Sequence, residues 1–181
     1  MSALRGFATL VLAALLAGCA SVPLSTALHF SSWGVRDFAQ VDPAKLRIRL
    51  SVDEGFEVDV PGTRLAISLT DADGLTREAK LPLHQLLSEH GTRPGGWFAR
   101  DVPVNTLVLA LAPEGARRLA DLQKSMLTGH PRAFDIDISA RLARMPPEAR
   151  RMTFWADLKL GADQPWIALI DGADFEFEYE Q

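Results

Sequence analysis

The chain has a single cysteine, Cys19, in 181 residues. An internal disulfide is therefore excluded, and so is a cysteine-built metal site. Histidine is almost as sparse. His29, His84, His90 and His130 are scattered, and no two of them stand three or four positions apart. The paired ligand spacing of an HExxH-type centre is thus absent. No serine lies in a GxSxG elbow, so the sequence shows no nucleophile poised beside a base. Lysine is limited to Lys45, Lys80, Lys124 and Lys159, and 23 acidic side chains outnumber 19 basic ones. That balance argues against nucleic acid, which calls for a basic face. No charge-free apolar run approaches the roughly 20 residues that a membrane-spanning helix needs. Repeats and low-complexity tracts are also missing.

What is present begins at the first residues. Met1 to Arg5 carries one positive side chain, Gly6 to Leu16 carries none, and the small residues Ala17 and Gly18 lead to Cys19. A basic start, a short apolar stretch and a small-residue exit describe a secretory signal. The segment Leu16-Ala17-Gly18-Cys19 resembles the lipobox of bacterial lipoproteins. That resemblance covers the signal region alone. It implies cleavage before Cys19, with Leu16, Ala17 and Gly18 as the peptidase recognition residues, and acylation of Cys19. One acyl chain holds a protein only marginally and two or three hold it firmly, at about 0.8 kcal/mol per buried CH₂. Ala20 follows, not an aspartate. In enteric-type lipoproteins that points to the outer membrane, with the protein facing the periplasm. The expected organisation is a signal over 1–18, a lipidated tether over 19–27 and one β-rich domain over 28–181. Cleavage removes Arg5, leaving 18 basic against 23 acidic side chains, a net charge of about −5.

The rest of the chain alternates. Leu46, Ile48, Leu50 and Val52 interleave with Arg47, Arg49 and Ser51. The same period of two runs through Phe56 to Val60, Leu65 to Leu69, Phe134 to Leu142, Met152 to Leu160 and Phe175 to Tyr179. It predicts strands with one buried and one wet face. Asp71-Ala72-Asp73-Gly74 predicts a turn joining 64–70 to a return strand through 75–83. Pro61-Gly62 reads as a break, Leu86 to Gly96 as a loop or helical turn, and Trp97 to Val102 as a short strand. Thr106 to Ala112 is apolar on both faces and predicts a central strand. Leu119, Leu122 and Met126 recur at helical spacing, with Gly129 and Pro131 as the stop. The fold class expected is mainly β: an antiparallel β-sandwich, immunoglobulin-like or transthyretin-like, with one inserted α-helix near 115–128. The arm from Leu28 to Phe38, with its aromatics, is expected to pack on the domain. The outward arginines of 46–52 and glutamates of 174–179 would pair if their strands were neighbours.

Candidate chemistry is thin. Asp71 and Asp73 start like a calcium loop, but the position that should carry the bidentate glutamate is Pro82. The pair Asp135 and Asp137 lies on one strand face, where a solvated surface explains it. Arg141, Arg144, Arg150 and Arg151 surround Pro146-Pro147 and read as a possible partner contact at a hairpin tip, able to meet phosphate or acidic groups. Trp155 falls on the polar register of its strand. It is either an interface anchor or a sign that both faces are covered. No catalytic residue, metal or cofactor is indicated. The expectation is a non-enzymatic envelope lipoprotein, held on the bilayer through acylated Cys19, that binds an envelope protein or other envelope component. The alternative is a carrier of lipid or glycan, with a cavity between the sheets lined by Phe154, Ile136, Ile138 and Phe175. Cys19→Ser is expected to abolish incorporation of labelled palmitate and to leave an uncleaved precursor; palmitate labelling of whole cells checks both.

Overall fold

The computed structural model describes residues 23, 26, 33–94, 100–129 and 131–177. The expectations for Leu16, Ala17, Gly18, Cys19, most of the tether and arm, and Trp97 to Ala99 lie outside the described residues. The elements are α1 (Val35–Phe38), β1 (Arg47–Asp53), β2 (Glu57–Asp71), β3 (Thr76–Leu81), β4 (Leu83–Arg93), β5 (Val102–Leu111), α2 (Pro113–Thr128), β6 (Pro131–Arg144), β7 (Arg151–Lys159) and β8 (Ile167–Glu176). They form two antiparallel sheets, β4-β5-β1-β7-β8 and β3-β2-β6. The protein is thus a β-sandwich with one substantial helix among the described residues. The order β4-β5-β1 facing β3-β2-β6 is that of strands D-E-B facing C′-C-F in an immunoglobulin-type sandwich. β7 takes the place of strand A, and β8 extends the sheet beyond it.

β1 sits in the middle of the larger sheet. Ile48, Leu50 and Val52 point into the interior and are almost fully buried, meeting Leu65, Ile67 and Leu69 from β2. Each such side chain contributes roughly 1.5–3 kcal/mol by leaving water. The hairpin β2–β3 forms in the register Leu65↔Leu81 to Thr70↔Thr76. Its turn is closed by the Asp71 N–H donating to the Leu75 carbonyl at 2.9 Å, with Gly74 at φ +83°. That positive φ is why glycine ends the Asp-rich turn. α2 starts at Pro113, where a missing N–H costs nothing. It buries Leu119, Leu122 and Met126 as one stripe. Gln123, also buried, donates from Nε2 to the carbonyls of Phe38 and Val41 and ties the end of α1 to the helix.

Four expectations are corrected. β1 does not neighbour β8: its two sides are taken by β5 and β7, so the arginines of 46–52 and the glutamates of 174–176 do not pair across strands. Pro146-Pro147 is no hairpin tip, because β6 pairs with β2 and β7 with β1, and the segment crosses from one sheet to the other. Pro61-Gly62 does not end a strand. β2 runs on through it with a register shift between Asp59 and Arg64, the kind of bulge that accommodates a proline without a donor. Leu83 to Arg93 is strand, not loop. Its alternation is hidden because His84 to Thr92 are exposed on both faces, so burial imposed no period of two there.

Gly115 marks a close approach of helix and sheet. A Cβ there would lie 2.5 Å from the Pro82 carbonyl oxygen. Glycine to alanine in a helix ordinarily stabilises by about 1 kcal/mol. Here the sign is reversed: Gly115→Ala is expected to destabilise by about 1–3 kcal/mol through overpacking, read as a fall in the urea midpoint at unchanged slope.

Candidate functional site

Three strands cannot cover five. β2 and β6 lie over the centre of the larger sheet, and on the β8 side the mouth between the layers stays open. β8 contributes to this. Its pairing with β7 shifts register on both sides of Ala156, and Gly172 sits at φ +73° within the bulged stretch. Bulges bend a strand and increase its twist, and this one lies in the β8 stretch beside the opening.

The result is an apolar cleft along the two edges. One part, of about 560 Å³, lies between Phe134, Ile136 and Ile138 of β6, Leu169 and Ile170 of β8, and Trp33 to Val35 at the start of α1. A second part, of about 370 Å³, continues past Ile138 and Ile170 to Leu142, Met152, Phe154, Phe175 and Phe177. Ile138 and Ile170 line both parts. Early residues of β6 and β8 line the first part and late residues the second, so the cleft follows both strands. From Ala133 to Leu142 that run is about 30 Å at 3.3 Å per residue. Phe134, Ile136, Ile138, Leu142 and Ile170 are only half-buried, although each packs against the core. Aromatic contacts stiffen the walls. Phe38 stacks on Phe134 at 5.1 Å, Phe56 on Phe177 at 6.1 Å, and Phe154 meets Phe175 edge-on at 6.3 Å.

Charge is confined to the first part. Arg132, Asp135 and Asp137 are exposed residues at its rim. The second part has no charged residue among its described lining. Thr26, 5 % exposed, donates from Oγ1 to the Ala168 carbonyl on β8. Thr26 thereby joins β8 at the lining of the first part of the cleft.

The opposite face of the larger sheet is closed by a polar cluster. Asp157 is 4 % exposed and accepts from Arg49 Nε at 2.9 Å and from Arg93 Nη2. Arg93 also donates to Ser51 Oγ, which shares a hydrogen bond of 2.9 Å with Thr106 Oγ1. The Arg49 guanidinium lies 4.5 Å from the centre of the Trp166 ring. Arg93 reaches from β4 past β5 to β1 and β7, so one side chain links three strands. Trp155, 4 % exposed, is buried on this face and is not a surface anchor. Its place on the polar register is explained because both faces of β7 are covered. Nothing in the sequence joined Arg93 to Asp157, 64 residues away. The one available signal was a large aromatic among polar alternates.

The four arginines are not a uniform basic patch. Arg144 forms an ion pair with Glu57 at 3.1 Å, Arg141 lies opposite Asp59, and Arg151 lies opposite Glu176. Arg150 follows the crossing segment, its carbonyl accepting from the Phe177 N–H at 2.9 Å. His84 and His90 are exposed on β4. No group of three or more potential metal ligands exists among the described residues, and no described helix is long and apolar enough to cross a membrane. Comparison with protein-family models, with curated proteins and with solved structures gave no match.

Removing the carboxylate of Asp157 would leave two guanidinium groups facing each other in a half-dry site. Asp157→Ala is expected to cost about 3 kcal/mol, the scale for breaking a buried pair from one side. Urea denaturation followed by circular dichroism measures it.

Proposed function

We propose that this chain is a lipid-anchored envelope lipoprotein whose sandwich binds an apolar ligand, the acyl chain of a lipid, in the cleft between β6 and β8. The observation that carries this reading is the cleft: an elongated, largely apolar space of the size that binding sites for small molecules occupy, roughly 300–1,000 Å³. A glycan would need convergent hydrogen-bonding groups, and the second part of the cleft offers Ser139 as its one polar side chain among the described lining. An acyl chain needs none. Its length is about half the ~30 Å hydrocarbon thickness of a bilayer, so one chain fits well within the run of the cleft. Acyl anchoring at Cys19 would keep the domain beside a source of such chains.

The charged rim suits a headgroup, and the charge-free inner part suits the tail. The alternating arginine and acid pairs near the sheet crossing give less support to an acidic protein partner, since neighbouring carboxylates already offset that charge.

Ile138 separates the readings because it lines both parts of the cleft. Titration with a fluorescent fatty acid is expected to show saturable binding by the parent protein. Ile138→Arg is expected to weaken it by at least about tenfold, or 1.4 kcal/mol, with the circular dichroism spectrum retained. Absence of saturable binding, or unchanged affinity in a folded Ile138→Arg variant, refutes the proposal.

A further inference from the structure

Positive charge is left over at one corner of the larger sheet, where β1 begins and β7 ends. Arg47 lies opposite Lys159 and Arg49 opposite Asp157, and paired residues share a face, so all four stand on the outer face. Arg93 brings a fourth cation from β4. Asp157 is the one carboxylate ion-paired there among the described residues, and it serves Arg49 and Arg93 together. Arg47 Nη1 donates instead to the carbonyls of Ala44 and Leu46, each at 2.8 Å. Lys159 Nζ lies 5.9 Å from the centre of the half-buried Trp166 ring, which Arg49 also covers. Nearby Asp42 is held by Lys45 at 3.8 Å. Asp163, on the exposed turn before Trp166, offsets one charge more. Four cations against Asp157 and Asp163 leave a surplus of two, on a chain whose net charge is −4. The arginines of 141–151 show no such surplus, since three of them face carboxylates.

We propose that this corner rests on the bilayer that carries the anchor, with Arg47, Arg49 and Lys159 meeting lipid phosphates and Trp166 entering the headgroup layer. The inference depends on the lipid-anchored reading above and adds to it the face that the domain turns to the membrane. The tether is what makes the partner a bilayer. Thr26 Oγ1 donates to the carbonyl of Ala168, two residues past Trp166. Thr26 follows Cys19 by seven residues, which span at most about 25 Å when fully extended. An acylated Cys19 therefore keeps this corner within that reach of the headgroups however the domain turns. Electrostatic attraction acts over about 10 Å at 0.1 M salt. Each Lys or Arg beside an anionic bilayer strengthens attachment about fivefold. A surplus of two is too small to recruit a protein from solution. Here the acyl chains supply the attachment and the charges set the orientation. A tryptophan with an apolar body and a polar N–H suits the headgroup layer. The same orientation brings the Leu169 end of the cleft near the lipid.

The scarcity of lysine supplies the test. Lys159 belongs to the proposed contact, whereas Lys80 lies on the outer face of the smaller sheet, across the sandwich. The acylated protein is purified in detergent and moved into vesicles of phosphatidylcholine and phosphatidylglycerol in equal amounts, or of phosphatidylcholine alone. Flotation reports attachment. Brief treatment with a water-soluble acetylating reagent, followed by mass spectrometry, reports the exposure of each lysine. In the mixed vesicles Lys159 is expected to label at least about fivefold more slowly than in detergent, the factor that one basic contact supplies, with Lys80 unchanged. Phosphatidylcholine alone, or salt at about 1 M, where screening shortens to about 3 Å, is expected to restore labelling of Lys159. Arg47→Glu is expected to restore it in the mixed vesicles. Protein that floats with Lys159 unprotected overturns this inference and leaves the anchor standing. Equal protection of Lys80, protection that persists in phosphatidylcholine alone or at high salt, or full protection in Arg47→Glu overturns it as well. Protein that does not float refutes the anchor, and this inference with it.

Discussion

The fold turns on a mismatch of width. A five-stranded sheet has an inner face that must be dried, and a three-stranded sheet supplies the cover. The cover is adequate over β1, where Ile48, Leu50 and Val52 meet Leu65, Ile67 and Leu69. It falls short on both sides. Toward β3 and β5 the shortfall is made up by α2, whose Leu119, Leu122 and Met126 add an apolar stripe. Gly115 lets that helix come close to the corner at Pro82. At β4 no described element makes it up, and nearly every residue of the strand is exposed. Along β8 the side chains remain apolar without being sealed, and that combination is the cleft.

The outer face of the larger sheet shows the complementary solution. A sheet face that is not packed on a second layer usually alternates to polar and stays wet. Here Ser51, Thr106 and Asp157 are polar and yet dry. They are dry because long side chains lie over them. Arg49 and Arg93 bury their stems along the sheet and bring their guanidinium groups to one carboxylate. Such a cluster gains less from attraction than its distances suggest, because three charges have been taken out of water. Its effect is on geometry: it joins β4, β1 and β7 by side chains in addition to the backbone ladder. The end of β4 is thereby tied to the centre of the sheet.

The proposed lipid anchor and the cleft belong to different parts of the chain and make separate demands. The anchoring proposed would need only Cys19 and its recognition residues. An acyl-binding cleft needs apolar walls that do not collapse, and the stacked pairs Phe38–Phe134 and Phe56–Phe177 brace them from both ends.

Most strands were legible because their environment is two-sided: one face in the core, one in water, and hence a period of two from Leu46 onward. The hairpin at Asp71 to Gly74 and the helix from Pro113 to Gly129 were legible from local backbone chemistry, namely a glycine at positive φ, a proline at the first helical turn and a stop after the last. β4 was not, since a strand bare on both faces carries no periodic signal. The residues of the cleft could be named as core, and Ile136, Ile138, Phe154 and Phe175 were, because burial is written in residue type. That they stand at a mouth left open depends on which strands lie at the sheet edges. Strand order is set by pairings between segments 50 to 110 residues apart, such as β1 with β5 and with β7, and local pattern has no access to those. The sequence by itself determined the class of fold and the identity of the apolar residues. The tertiary structure alone decided that Trp155 is buried, that Arg93 and Asp157 meet, and that three strands laid over five leave a cleft on one side and a bare edge on the other, because each of these follows from long-range pairing and from the relative widths of two layers.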